Sequence, residues 1–158
     1  MTIRPITPAD DQQVGNIIRT VLAEFGVNRP GTAYYDEQIF TLSAVFDTPG
    51  AAYWIATSED TLVGGAGIFP TAGLPNHYCE LVKFYLLPQS RGKGIGRSLL
   101  QKAIDTARQM GYTHMYLETL PELTIAIPQY EKAGFKYLDG PLGNSGHYAC
   151  TVWMLKEL

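Results

Sequence analysis

A glycine-rich loop with three basic side chains is the part of this sequence best suited to chemistry. The loop runs from Leu87 to Gly96 and reads LPQSRGKGIG, between an apolar run typical of a strand and a run with helical spacing. The first amides of a helix have no acceptor within the helix, and the dipole is positive at this end, so such loops bind anions, usually phosphate. Arg91, Lys93 and Arg97 add positive charge at the same place. The loop therefore predicts a phosphate-binding site.

The spacing of the glycines discriminates between phosphate ligands. A nucleotide-binding loop of the Walker A type requires Gly-x4-Gly-Lys-Ser/Thr, but a leucine stands five residues before Gly92 and a glycine follows Lys93. A dinucleotide-binding loop requires Gly-x-Gly-x-x-Gly, whereas Gly92, Gly94 and Gly96 alternate here. The first type is excluded and the second is disfavoured. The pattern that remains is Gln89-x-x-Gly92-x-Gly94.

A tyrosine in the last third of the chain is the second candidate. Tyr130 begins the segment YEKAGF and shares one helical face with Leu123 and Ile127; taken alone, it also fits a half-buried aromatic whose hydroxyl meets water. In their order, the two motifs resemble the GNAT superfamily of N-acetyltransferases. There the glycine loop binds the pyrophosphate of acetyl-CoA, and a Tyr-Glu-Lys-x-Gly-Phe segment ends the fourth helix. The resemblance extends from residues 3–5 to the last strand.

Short apolar runs alternate with runs of helical period, which predicts a single α/β domain with a mixed sheet over residues 1–158. The resemblance implies the GNAT fold, α/β or, in some classifications, α+β. Its central sheet is mixed, mostly antiparallel, six- to seven-stranded, flanked by about four helices, and splayed between the fourth and fifth strands. Helices are expected over 7–25, 36–46, from the glycine loop to 111, and over 122–133; strands are expected over 2–4, 51–57, 61–69, 78–87, 114–119, 136–138 and 148–155.

The resemblance implies acetyl-CoA as co-substrate and no metal. The pantetheine arm would form sheet-like hydrogen bonds with the strand before the loop, where the amide of Leu86 would polarise the thioester carbonyl as an oxyanion-hole donor does. The pyrophosphate would rest on the amides from Arg91 to Gly96. The expected cofactor-binding residues are Phe84, Tyr85, Leu86, Gln89, Arg91, Gly92, Lys93, Gly94, Ile95, Gly96 and Arg97.

The implied reaction is direct attack of a primary amine on the thioester in a ternary complex. An amine of the lysine type has a pKa of about 10.4, so losing its proton at pH 7 costs roughly 4.6 kcal/mol and requires a base. Glu80, near the start of the pantetheine-binding strand, matches the base of some family members, and Glu118 at the end of the next strand competes with it. Tyr130 corresponds to the tyrosine that protonates the departing thiolate; contact with the sulfur alone is the alternative.

Two residues depart from the family pattern. The position seven residues before Tyr130, an asparagine in many relatives, is Leu123, so a polar contact to pantetheine is expected to be missing. Pro128 lacks the N–H that would bond to the carbonyl of Thr124. The last helix is therefore expected either to kink or to begin close to Pro128.

The acceptor amine is expected beside the N-terminal helices, the most variable part of such folds. Tyr34 and Tyr35 are expected either as a wall facing the amine or as plain packing, and Glu118 is counted with the substrate-contacting residues. Carboxylates near the entrance, such as Asp36, would suit a cationic acceptor: a polyamine, an aminoglycoside or a lysine side chain. His147, in the loop before the last strand, is a further candidate for this pocket.

Composition excludes several other classes of protein. With 46% hydrophobic and 17% charged residues and no run of one charge sign, the chain is neither disordered, coiled coil nor collagen-like. A net charge of −3 argues against a nucleic-acid partner. Without a membrane-spanning stretch or signal peptide, a cytoplasmic protein without membrane contact is expected. Cys79 and Cys150 are too few for a disulfide framework and are expected as free thiols. Their spacing from His77 and His147 does not suit zinc.

The expected partner is thus a small-molecule or peptide amine. A homodimer is also expected, because members of the family often dimerise. The alternative from another class is a GNAT-fold acyl-CoA sensor or interaction module without turnover. Leu123 and Pro128 favour that alternative, whereas Tyr130 and the available carboxylates favour an enzyme.

Overall fold

A seven-stranded sheet forms the centre of the computed structural model, which describes all residues from 1 to 158. The sheet order is β1-β2-β3-β4-β5-β7-β6, and every neighbouring pair is antiparallel except β4 with β5. This mixed sheet with four α-helices confirms the predicted fold class. The strands are β1 Thr2–Pro5, β2 Ala52–Ser58, β3 Thr61–Phe69, β4 Tyr78–Leu86, β5 His114–Thr119, β6 Lys136–Leu138 and β7 Val152–Glu157; the helices are α1 Asp11–Glu24, α2 Leu42–Val45, α3 Ile95–Gln109 and α4 Ala126–Lys132.

Apolar side chains cover both faces of the sheet, and alternation along the strands sorts them. In β2, Trp54 and Ala56 pack with α3 and α4, whereas Tyr53 and Ile55 pack with α1 and the segment over 33–46. This period of two is what a strand buried between two layers requires. None of the helices combines the length and the apolar character needed to cross a membrane.

The sheet opens between β4 and β5. Their parallel pairing covers only Tyr78 with His114 through Glu80 with Tyr116. Beyond Glu80, β4 continues to Leu86 without a partner on this side. The predicted splay between the fourth and fifth strands is confirmed, and it leaves a cleft at the centre of the molecule.

A β-bulge in β4 changes which side chains face this cleft. Between the pairs Gly67 with Val82 and Gly65 with Tyr85, two residues of β4 oppose one of β3. The extra residue is Lys83, whose φ of 53° lies in the left-handed region. The hydroxyl of Tyr53 donates a hydrogen bond of 2.9 Å to the carbonyl of Lys83 and so stabilises the bulge.

Four predicted elements differ in their bounds. The chain over 8–10 is a 3-10 turn, so α1 begins at Asp11. The helix predicted over 36–46 is two pieces, because the side chain of Asp36 accepts a hydrogen bond from the amide of Gln38 and starts a 3-10 turn, and Thr41 has non-helical dihedrals. The last strand begins only at Val152, because Ala149 and Cys150 donate their amides to turn and loop carbonyls.

The fourth difference concerns α4, which begins at Ala126 rather than at residue 122. Pro128 is the third residue of this helix. The first-turn amides of a helix have no acceptor within it, so the N–H that proline lacks is not missed there. The second of the two expected outcomes, a helix that begins close to Pro128, is the one observed.

Candidate active site

Six consecutive backbone amides at the start of α3, from Gly92 to Arg97, donate no hydrogen bond within the protein. Gly92 and Gly94 have φ of 74° and 81°, which favour glycine, and a Cβ at either position would meet open space. Together with the helix dipole, these donors form an anion-binding cradle of the predicted kind. The amide of Arg91 is not part of it, because it donates to the carbonyl of Pro88.

The three basic side chains of the loop divide into two kinds. The guanidinium of Arg91 forms a two-bond ion pair with Glu24 on α1, at 2.7 and 2.9 Å, and its Nε donates to the carbonyl of Leu86. Arg91 therefore links the loop to α1. Lys93 and Arg97 are exposed and have no salt bridge, so their charges remain available to a phosphate. Gln89 is exposed in the 3-10 turn before the loop.

The cleft beside the cradle runs along the end of β4 towards α4. Its lining includes Phe84, Tyr85 and Leu86 of β4 together with Gly96 and Tyr130. The amide of Leu87 bonds to β3, so that of Leu86, the next residue in an antiparallel ladder, points away from β3 into the opening. The cleft thus offers a strand edge with a free amide donor.

Gln129 is a site residue that the sequence analysis did not identify. Its Oε1 atom is buried without a hydrogen-bond partner, and it lies 3.0 Å from the place that a Cβ of Gly96 would occupy. Buried polar atoms almost always have a partner, and this one, on the wall of the cleft, is an acceptor available to a ligand there. The free amides, the strand edge and this carboxamide fit the phosphates and amides of coenzyme A.

Tyr130 is held by the end of α4. The amide of Phe135 bonds to the carbonyl of Tyr130 and that of Gly134 to Glu131, with Gly134 at a φ of 95°; this helix ending brings the Phe135 ring onto Tyr130. Phe84 packs on the same ring. The hydroxyl of Tyr130, a residue only 5% exposed, has no partner within the protein, and burial raises its pKa above the usual value.

Glu80 is the buried carboxylate of the site. It is 3% exposed, and its Oε1 accepts a hydrogen bond of 2.9 Å from the hydroxyl of Thr71. Burial, followed by the charge of Glu118, raises the pKa of Glu80 to about 7. Glu80 lines both the cleft between β4 and β5 and a second cavity beside it.

Glu118, the competing carboxylate, has both oxygens occupied. Its Oε2 accepts from the hydroxyl of Tyr116 at 2.7 Å, and its Oε1 accepts from the hydroxyl of Ser145. The Tyr116 hydroxyl in turn accepts from the amide of Leu142. Glu118 therefore holds the loop before β7 against β5.

Sequence comparison agrees with this arrangement. The model of the acetyltransferase (GNAT) family matches residues 17–135. The chain belongs to the GNAT family. It is 41% identical over 157 residues to the uncharacterized N-acetyltransferase YjgM of Escherichia coli K12, across 99% of this chain and 94% of that protein.

Solved structures share the fold. A GNAT-family acetyltransferase of Staphylococcus aureus Mu50 superposes with a TM-score of 0.85 at 21% identity, covering 99% of this chain and 98% of the other. The PaiA N-acetyltransferase of Thermoplasma acidophilum, solved in complex with coenzyme A, gives a TM-score of 0.75 at 20% identity, with the same two coverages. The chain is thus an N-acetyltransferase of the GNAT family with acetyl-CoA as its acetyl donor.

The second cavity of this GNAT enzyme has a volume of about 260 Å³ and lies on the opposite side of Glu80 from α3. The ammonium of Lys83 lies 2.9 Å from Oδ2 of Asp36, and Nε2 of His147 lies 3.7 Å from the same oxygen. His147 and Lys83 together hold the pKa of Asp36 below its ordinary value, and the lysine is the closer of the two. Asp36 is therefore paired with the protein itself and is not free for a cation.

The predicted tyrosine wall is not part of this cavity. Tyr34 packs its ring under the guanidinium of Arg19, 5.2 Å away, and Tyr35 is 57% exposed along an outer groove next to His147. Cys79 and Cys150 are free thiols, and no group of three or more metal-binding side chains is present.

Proposed function

We propose that this enzyme transfers the acetyl group of acetyl-CoA to a primary amine of a small molecule or peptide, by direct attack in a ternary complex. The observation that carries the proposal is the position of Glu80 at the boundary between the cleft and the second cavity. A base at this boundary can receive a proton from an amine in the cavity as the nitrogen reaches a thioester in the cleft.

Glu80 is the proposed general base. With a pKa of about 7, it is substantially ionised at neutral pH and yet basic enough to take a proton from the attacking nitrogen. Glu118 is the poorer candidate, since the Tyr116 and Ser145 hydroxyls occupy both of its oxygens. Its role in this proposal is to raise the pKa of Glu80 through its charge.

The amide of Leu86 is the proposed donor to the thioester oxygen. It points into the opening of the sheet, and it costs no reorganisation because the strand holds it in place. A single donor of this type typically stabilises the developing charge by about 2.7–4 kcal/mol.

Tyr130 is the proposed donor to the departing sulfur. The raised pKa keeps its hydroxyl protonated, and the hydroxyl has no competing partner within the protein. The pKa of a tyrosine, ordinarily about 10, exceeds the about 8.5 of a thiol. A hydrogen bond to the developing thiolate therefore supplies more of the stabilisation than a completed proton transfer does.

The step balances with these roles. The amine nitrogen bonds to the acetyl carbon, and the bond from that carbon to sulfur breaks. Glu80 receives the proton that the ammonium loses on becoming the attacking amine. The proton that the nitrogen loses on becoming an amide passes to solvent, and Tyr130 and solvent supply the one proton that the sulfur gains. The products are the acetylated amine and the CoA thiol.

The test is release of CoA thiol from acetyl-CoA across a panel of amines, amino acids, polyamines, aminoglycosides and short peptides. We expect Tyr130→Phe to lower kcat roughly 100-fold for the accepted amine, and Tyr137→Phe, at an exposed tyrosine, to leave it unchanged. An acyl-CoA sensor predicts a different outcome: no amine is acetylated, although acetyl-CoA still raises the Tm.

A further inference from the structure

The charges around the second cavity, which we call the acceptor cavity, do not suit a cationic substrate. Asp36 is paired with Lys83 and lies next to His147, and Glu37 lines only the outer groove. Glu80 is the one carboxylate of the cavity without a cationic partner, and the proposed function requires it as the base. A second positive charge on the acceptor therefore has no carboxylate to bind.

Lys83 faces this cavity because of the bulge in β4. Before the bulge, Cys79 and Leu81 face α3, and regular alternation would send Lys83 to that side as well. After it, Phe84 resumes packing on the α3 side, so the extra residue turns towards the acceptor cavity. Bulges commonly re-aim a side chain in this way next to active sites.

The ammonium of Lys83 has unused donors. Its side chain is 9% exposed, and Asp36 is its only partner, although an ammonium carries three N–H donors. Leaving donors of a buried charge unpaired is costly, and a carboxylate on the ligand would pair them. His147, which lines the same cavity, supplies a second polar group at this position.

The rest of the acceptor cavity is small, and one of its walls is apolar. At about 260 Å³ it lies just below the range of roughly 300–1,000 Å³ usual for small-molecule sites. Its apolar wall comes from α2 and the residue after it, from the end of β3 and from the middle of β4, and consists of Leu42, Val45, Phe46, Phe69 and Val82. Such a wall suits one apolar side chain.

From this arrangement we infer that the acceptor is a free α-amino acid with an apolar side chain. Its amine lies at Glu80, its carboxylate at Lys83 and His147, and its side chain against the apolar wall. The inference rests on the proposed function, and the group transfer is the one given there: the amino nitrogen gains the acetyl group and passes its proton to Glu80. Lys83 is thereby the residue that determines specificity for the carboxylate.

The experiment compares L-leucine with leucinamide and 3-methylbutylamine, which keep the apolar part and lack the carboxylate. Each is assayed with wild type, Lys83→Met, Asp36→Asn and the control Lys102→Met, an exposed lysine on α3. We expect Lys83→Met to lower kcat/KM for leucine about 10- to 100-fold more than for the other two, mainly through KM. Because the charge of Lys83 also lowers the pKa of Glu80, the variant loses some activity with all three amines at neutral pH. For each amine, kcat/KM of the variant is divided by that of the wild type, and this ratio removes differences in intrinsic reactivity between the amines.

Asp36→Asn separates the two kinds of acceptor. Removing this anion frees Lys83 for the carboxylate of the ligand, so the KM for leucine is expected to fall, whereas a cationic acceptor would bind less tightly. The inference is overturned if leucinamide or the simple amine is preferred and Lys83→Met does not change that preference. If no amine of the wider panel is acetylated, the proposed function fails as well; if only amines without a carboxylate are acetylated, the inference fails alone.

Discussion

The hydroxyl of Thr71 donates a hydrogen bond of 2.9 Å to Oε1 of Glu80, across the gap between the loop after β3 and the start of β4. This bond favours the ionised carboxylate and so opposes the burial that raises its pKa. Together with the charges of Glu118 and Lys83, these two effects set the pH at which the proposed base becomes active.

Thr71→Val is expected to raise the pKa of Glu80, because it removes the bond and keeps the size of the side chain. A hydrogen bond to a charged group corresponds to about one pH unit or somewhat more. The acidic limb of kcat/KM against pH should move to higher pH by about this amount. Thr61→Val, at an exposed position on β3, is the control; an unmoved profile in Thr71→Val would show that another group sets this limb.

Glu80→Gln should abolish most activity and yet stabilise the protein above neutral pH. The native pKa of about 7 exceeds the ordinary 4.5, so between these values the native state retains a proton that the unfolded state has lost. Stability then falls as pH rises through this window. The variant lacks this loss, and its free energy of unfolding in urea should exceed that of wild type by about 2–3 kcal/mol at pH 8.

The same comparison at pH 4 should show no such advantage, since Glu80 is then protonated in both states. Glu157→Gln, on an exposed position of β7, is the control at both pH values. Equal stability of Glu80→Gln and wild type at pH 8 would contradict a buried carboxylate that is forced to ionise.

Gly92→Ala tests the anion cradle through its backbone conformation. A Cβ at this position meets nothing within 4 Å, so the φ of 74° is the only obstacle to alanine. The left-handed conformation costs a residue with a Cβ about 1–2 kcal/mol, which predicts a roughly 5- to 30-fold higher Kd for acetyl-CoA by calorimetry. Gly140→Ala is the matched control, because that glycine also has open space but no positive φ; an equal Kd in both variants would argue against the cradle.

Local patterns predicted most of the fold. The glycine loop, the apolar runs of β2 to β5 and the glycine that ends α4 act through residues close in sequence. The prediction of a single helix over 36–46 was wrong, although the spacing of the apolar residues in this segment is helical. Its start depends on Asp36, whose side chain caps a 3-10 turn and pairs with Lys83 on a distant strand.

Only those parts of the candidate site that contain a recognisable sequence motif were predictable. The loop and Tyr130 have such motifs, but the roles of Glu118 and Arg91 depend on partners far along the chain, Ser145 and Glu24. Nothing in the sequence indicates the bulge that turns Lys83 to the acceptor side. A bulge arises from the pairing of two strands, and pairing register is a property of the assembled sheet.

Gln129→Met tests whether the orphaned carboxamide of α4 belongs to the cofactor site. Replacing a buried oxygen that has no partner by an apolar group of similar length should stabilise the ligand-free protein by about 1 kcal/mol. If the carboxamide binds the cofactor, the same variant should bind acetyl-CoA less tightly, so the rise in Tm on adding acetyl-CoA should shrink. Gln101→Met, on the exposed face of α3, should change neither quantity in this way. A more stable Gln129→Met with an unchanged response to acetyl-CoA would place the carboxamide outside the cofactor site, because only a contact with the ligand links the two measurements.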